Sequence, residues 1–247
     1  MNIFQSALLG IIQGLTEFLP ISSSGHLVLV QSLIPNFSQE GILFDTFLHF
    51  GTILAILVFY FDKIRKLAFE QIRILIIATI PAVIVGFLLK DQIDTIFQNT
   101  FLVGVALIVT GLMNLRTDKH KEMTDTVGTK NGIIIGLFQA FAILPGISRS
   151  GSTIFGGTLM GIKKEKAAEF SFLLSIPAVL GANLMEIIKA GSGFLITQQY
   201  IVGIICSFVS GLLCIKLLLK VLYAKKLKYF GYYCILVGVV SLIVNYL

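Results

Sequence analysis

Twice in this chain a long apolar stretch is broken at its middle by proline, serine and glycine. The first stretch covers about residues 3–34 and the second about residues 132–162. Shifted by 126 residues, one break lies on the other without a gap. Gly10, Gln13, Ile21, Ser22, Ser24 and Gly25 then fall on Gly136, Gln139, Ile147, Ser148, Ser150 and Gly151. Proline removes a helical donor, and glycine and serine weaken a helix further. The rest of the chain makes the breaks costly: it is 56% hydrophobic and 13% charged, with a mean hydropathy of +0.93, where soluble domains carry about 25% charged residues. At membrane depth, irregular backbone persists only where protein buries it or where it lines an aqueous cavity. Both stretches are therefore expected to be re-entrant hairpins of two half-helices.

Six further apolar runs are expected to span a bilayer, at about 42–61, 72–89, 101–115, 170–190, 200–222 and 229–247. Lysines and arginines cluster around 63–73, 116–130, 163–166 and 225–228, whereas the loops near 35–41, 90–100 and 191–199 are poor in them. Basic loops belong on the cytoplasmic side. Six spans plus two hairpins put every basic loop inside and both termini outside. The expected fold is thus all-α and integral to the membrane, a single domain of two halves, about 1–125 and 126–247. One hairpin enters from each side, which makes the halves an inverted-topology repeat with its site at their interface. Nothing basic precedes the first apolar stretch, so no secretory leader is expected. The net charge of +6 is read as orienting charge at helix ends, not as a nucleic-acid surface. Cys206, Cys214 and Cys234 lie in apolar runs without metal-ligand spacing.

The chemistry sits in the two breaks. Glu17 is a carboxylate within apolar sequence, which is expensive in a bilayer. It is a candidate general base, a ligand for a hard divalent cation, or both. Gln13 shares its helical face at i, i+4 and is a second candidate ligand. Ser22, Ser23 and Ser24 precede Gly25 and His26; at least one hydroxyl is expected to cap the next half-helix. Ser23 becomes a useful nucleophile if His26 or Glu17 lies within hydrogen-bond reach. In the second break Arg149 takes the place of Ser23. A guanidinium grips phosphate oxygens bidentately and stays charged. Ser148, Ser150, Ser152 and Thr153 surround it with hydroxyls, Gly151 lets backbone approach a ligand, and a helix start adds free amides. A salt bridge from Arg149 to Glu17 is the plainer alternative, and both readings can hold at rest. Asp45 and His49, at i, i+4, read equally as a metal or relay pair and as an interhelical hydrogen-bonding pair. Glu186 and Asn183 read as structural, and His120 as solvated.

At these residues the chain resembles the undecaprenyl-diphosphate phosphatase family, bacterial membrane enzymes linked to bacitracin resistance. Gln13-x-x-x-Glu17 followed by Pro20-Ile21-Ser22-Ser23-Ser24-Gly25-His26 is similar to the first signature of that family. Pro145 through Thr153 is similar to the second. Gln13 stands where the family has glutamate or glutamine. The resemblance implies that Glu17, Ser23, His26 and Arg149 carry activity and that a divalent cation, Mg²⁺ or Ca²⁺, takes part. It further implies a plasma-membrane enzyme whose site opens to the extracytoplasmic side, homodimers, and a polyprenyl diphosphate substrate for which bacitracin competes. The expected reaction removes the terminal phosphate of a C55 isoprenoid diphosphate, returning the monophosphate carrier to peptidoglycan synthesis. Ser23 attack and direct attack by an activated water both stay open. The rival reading is a secondary transporter or lipid translocase, for which inverted repeats and paired hairpins are equally suitable. A structural membrane subunit leaves the buried ionisable groups without a purpose.

Overall fold

The computed structural model describes residues 1–34, 43–89, 92, 95–96, 99–190 and 196–244. The basic-poor loops near 35–41, 90–100 and 191–199 lie wholly or mostly outside these residues. Among the described residues the chain is helical throughout, with one isolated bridge between Thr124 and Ile162. The helices are α1 (Ile3–Phe18), α2 (Ser23–Leu33), α3 (Leu43–Phe59), α4 (Phe61–Ile64), α5 (Phe69–Leu88) and α6 (Thr100–Thr117). They continue as α7 (Thr129–Phe141), α8 (Arg149–Leu159), α9 (Lys164–Ala190), α10 (Gln198–Tyr223) and α11 (Lys228–Val244).

Four of these, α5, α6, α9 and α10, are long and apolar enough to cross a membrane. α1, α3 and α11 are shorter apolar helices. Large apolar side chains such as Phe69, Phe87, Ile188 and Leu213 face outward, as a lipid surround permits and water does not. This is a multi-pass membrane protein. The broken stretches behave as the sequence suggests locally. α1 stops at Phe18 because Pro20 follows, and α2 begins after Ser22, whose hydroxyl accepts the Gly25 amide at 3.3 Å. α7 stops at Phe141, and α8 begins after Ser148, whose hydroxyl accepts the Gly151 amide at 3.1 Å. At 1.5 Å per residue, α2 and α8, with 11 residues each, reach only about 17 Å.

Glycines set the close crossings. α1 lies along α10, and a Cβ on Gly10 would sit 2.5 Å from the Gly203 carbonyl oxygen. α7 lies along α5, where a Cβ on Gly136 would sit 2.3 Å from the Ala78 carbonyl oxygen. α6 and α11 cross through Gly111 and Gly231, each facing the other's carbonyl. Phe18, at the end of α1, meets Phe172 of α9 edge-to-face with ring centroids 5.3 Å apart, anchoring the first break in the core beneath it.

Candidate active site

The two breaks meet tip to tip. A Cβ on Gly25 would lie 3.1 Å from Gly146 Cα, and one on Gly151 would lie 3.2 Å from Pro20 Cβ. Each glycine is thus a point where one loop presses on the other. α6 ties both down. Asn114 Nδ2 donates to the Pro20 carbonyl at 2.5 Å. Thr110 Oγ1 donates to the Gly146 carbonyl and accepts from the Ser148 amide, both at 2.9 Å. Ser150 Oγ reaches across to the Leu19 carbonyl at 3.1 Å. Backbone polar groups that no helix satisfies are thereby paired, as burial requires.

Glu17 is the hub. Its side chain is 6% exposed, and Arg149 Nη2 donates to its Oε1. Its Oε2 accepts from Ser23 Oγ at 2.6 Å and from Gln13 Nε2 at 3.0 Å. His49 Nε2, from α3, stands 3.6 Å from the same oxygen. Arg149 also reaches the Ser171 carbonyl of α9 through Nη1 at 3.3 Å. A buried carboxylate costs several kcal/mol unless it is paired and hydrogen-bonded; here four side chains from α1, the first break, α3 and α8 share that task. Of the two candidate bases for Ser23, the structure joins the serine to Glu17.

His26 lies elsewhere in the network. Its Nδ1 donates to the Ser22 carbonyl at 2.8 Å, and its Nε2 is 2.9 Å from the Tyr233 hydroxyl of α11. The remaining hydroxyls are engaged within the scaffold. Ser22 and Ser148 cap helices, and Ser24 and Ser150 lie 3.3 Å from those cap hydroxyls. Thr153 Oγ1 lies 2.6 Å from Ser171 Oγ, and Ser152 is fully buried near Met113. Ser23 and Ser24 are the half-buried ones. At the start of α8 the Ser148 cap takes the Gly151 amide, while the Arg149 and Ser150 amides have no intrahelical acceptor.

Asp45 and His49 do not pair through their side chains. His49 Nδ1 donates to the Asp45 carbonyl at 2.7 Å, and Asp45 Oδ1 accepts from Gln31 at 2.9 Å. His49 instead turns its other nitrogen to Glu17 and belongs to the site. In the sequence only its i, i+4 spacing from Asp45 pointed to it, and that spacing named the wrong partner. Thr110, Asn114 and Tyr233 carried no sequence signal at all. His120 is not simply solvated: its Nδ1 is 2.9 Å from Thr158 Oγ1 and its ring packs 5.1 Å from Phe155. Partial burial, then nearby Lys164, lowers its pKa below the usual imidazole value. Glu186 pairs with Lys189 at 2.5 Å.

The family model described as bacitracin resistance protein BacA matches residues 6–240. The chain is 43% identical to the undecaprenyl-diphosphatase of Methanococcus vannielii over 94% of its length and 96% of the relative's. It is 39% identical to the undecaprenyl-diphosphatase of Methanosphaera stadtmanae over 99% of both. It is 41% identical to undecaprenyl-diphosphatase 1 of Clostridioides difficile over 98% of this chain and 96% of that one.

Proposed function

The chain belongs to the bacitracin resistance protein BacA family, and from that membership and the geometry of its site we infer that it is an undecaprenyl-diphosphatase. It removes the terminal phosphate of undecaprenyl diphosphate and leaves undecaprenyl phosphate. One observation carries the reading: Ser23 donates to a buried carboxylate that Arg149 holds from the other loop. A nucleophile on a base beside an anion clamp is what phosphoryl transfer needs, since that reaction is dominated by positioning and charge stabilisation. A transporter requires the clamp but not the nucleophile–base pair.

In the proposed sequence the diphosphate takes Arg149 Nη1 and Nη2 and the backbone amides of Arg149 and Ser150 at the start of α8. Ser23 Oγ attacks the terminal phosphorus and its proton passes to Glu17 Oε2. The bridging P–O bond breaks and undecaprenyl phosphate leaves. Water then attacks the phosphoserine, Glu17 returns its proton to Ser23 Oγ as the ester bond breaks, and phosphate departs with the water oxygen and both of its protons. In the alternative sequence Glu17 activates water directly and Ser23 only orients it. His49 steadies the carboxylate in either case.

The residues present fit a divalent cation. Gln13 donates through Nε2 to Glu17, while its Oε1 is buried and has no partner. With its amide turned over, that oxygen would join the Glu17 carboxylate as a hard donor of the kind Mg²⁺ or Ca²⁺ takes. Among the described residues no three His, Cys, Asp or Glu side chains form a metal cluster. Glu17 and Gln13 would therefore hold the ion together with oxygens of the diphosphate. Such an ion supplies charge neutralisation at the phosphate.

The membrane arrangement proposed is six spans and two re-entrant hairpins in an inverted repeat with halves 1–125 and 126–247, in the plasma membrane, with the site open to the extracytoplasmic side. Supporting it, α1–α10 and α7–α5 pack equivalently at the 126-residue offset. Reporter fusions at Lys119 and Ser192 test it; the same side for both contradicts it. Bacitracin is proposed to compete for the lipid, and a homodimer is the proposed assembly. The functional test is phosphate release by purified, detergent-solubilised protein from a C55 diphosphate, with and without chelator. Release that chelator abolishes and Mg²⁺ restores is expected; no release contradicts the assignment.

A further inference from the structure

We infer that Tyr233, on the last helix and outside both broken loops, is a positioning residue that fixes the working orientation of His26. The inference rests on the phosphatase reading and on three observations. The Ser22 carbonyl can only accept, so its 2.8 Å contact puts the proton of the imidazole on Nδ1. In the neutral ring Nε2 then carries a lone pair, and the Tyr233 hydroxyl, 2.9 Å away, donates to it. The two rings are within 10° of parallel with centroids 5.6 Å apart. Both imidazole nitrogens are thus held, and the ring can neither flip nor swing without losing a hydrogen bond.

The two anchors come from opposite ends of the chain. Ser22, at φ 69°, belongs to the first break; Tyr233 lies on α11, 207 residues beyond His26. His26 is 8% exposed whereas Tyr233 is 42% exposed, so the tyrosine stands between the histidine and the outer surface of the bundle. A base is useful when a further group orients it, and such orienting groups set its tautomer as well as its direction. Ser23 is already bonded to Glu17, which leaves His26 to act on the phosphate or on the incoming water. Nε2 has a single lone pair, and Tyr233 holds it at rest, so the hydroxyl sets where Nε2 points until substrate or water displaces it. An aromatic residue on a lipid-facing helix would otherwise need no partner beyond the interface, and this one spends its hydroxyl on the histidine.

The test is a mutant cycle with a spectroscopic companion. Tyr233→Phe removes the hydroxyl and keeps the ring, so kcat for phosphate release should fall about five- to tenfold with KM within about twofold, the size of one lost orienting hydrogen bond. In a His26→Ala background the same substitution should leave the residual rate unchanged. With ¹⁵N-histidine labelling, the Nε2 signal of His26, identified by its loss in His26→Ala, should move in Tyr233→Phe while those of His49 and His120 stay. An equal fall in both backgrounds, an unchanged kcat, or an unmoved His26 signal overturns the proposal. Wild-type protein that releases no phosphate sinks the phosphatase reading instead, and the nitrogen spectrum still decides whether Tyr233 holds His26. Full activity in His26→Ala removes His26 from the chemistry and the positioning role of Tyr233 with it.

Discussion

The two broken loops use one scaffold and carry opposite chemistry. Both cap the following helix with a serine that accepts the amide three residues on. Both place a second serine hydroxyl 3.3 Å from the cap. Both press a glycine against the other loop, and the two contacts exchange under the 126-residue offset, Gly25 on Gly146 and Gly151 on Pro20. The chemistry lies in positions that differ. Glu17 faces Ile143 at that offset, and Ser23 faces Arg149. Gln13 bonds to Glu17, whereas Gln139, its counterpart, is buried with neither amide atom partnered. The turn itself is made at different residues. Pro20 holds its φ near about −65°, so the first loop turns later, at Ser22 with φ 69°, while the second turns at Gly146 with φ 91° and leaves Ser148 relaxed at φ −71°. Repetition builds the meeting point of the loops; the departures from it supply a base on one side and an anion clamp on the other.

The sharpest way to break this comparison is at the pair of positions that differ most. Arg149→Ala should lower phosphate release by about a thousandfold or more, as loss of a charge-stabilising arginine does in phosphoryl transfer. Arg149→Lys should recover only part of it, since a single ammonium cannot replace the planar fork. Ser23→Ala should fall to a similar degree if the serine is the nucleophile; substantial residual activity would assign the attack to water. Steady-state kinetics on purified protein checks all three.

Where the loops are alike, equal effects are expected. Gly10→Ala and Gly136→Ala each force a Cβ to within about 2.5 Å of a carbonyl oxygen on a neighbouring helix. Each should cost about 1–3 kcal/mol, read as matched falls in the thermal midpoint in detergent. A large effect of one and none of the other would break the equivalence. The glutamines should part company. Gln139→Leu removes two unsatisfied buried groups and should raise stability by about 1 kcal/mol. Gln13→Leu should lower activity and stability together, because it strips a donor from Glu17. The smallest effect concerns the turns. Ser22→Gly relieves a left-handed backbone at the loss of a cap that glycine partly replaces, so its stability should stay within about 0.5 kcal/mol of wild type or rise. Ser148→Gly gains no such relief and should lose about 0.5 kcal/mol.

Much of this was legible from residue order. Apolar runs interrupted by Pro20 or Pro145 announce broken helices because a bilayer leaves unpaired backbone so few options. The positions of Glu17 and Arg149 declare a site because an ion in apolar sequence needs a partner. What escaped reading depends on contacts between distant segments. His49 approaches Glu17 only because α3 packs beside α1; along the chain its neighbour is Asp45, and that spacing suggests a pair that does not form. Thr110 and Asn114 serve the loops through their places on α6, where a threonine and an asparagine in an apolar run look like ordinary helix polarity. The engagement of Ser148, Ser150 and Thr153 within the scaffold is likewise invisible in a motif, which records that hydroxyls are required and not which atoms they touch. The strain at Ser22 follows from Pro20 only once the direction of α2 is known.

The central claim is that Arg149 and Glu17, from the two loops, form one buried ion pair at the heart of one site, and the measurement that tests it most directly is a stability cycle over that pair. Removing either charge alone, by Glu17→Gln or Arg149→Met, strands its partner in the protein interior and should cost about 3–5 kcal/mol, whereas removing both should restore much of that loss. Thermal midpoints in which the double variant matches or exceeds each single variant are the predicted result. Losses that simply add would place the two charges in separate environments and contradict the account.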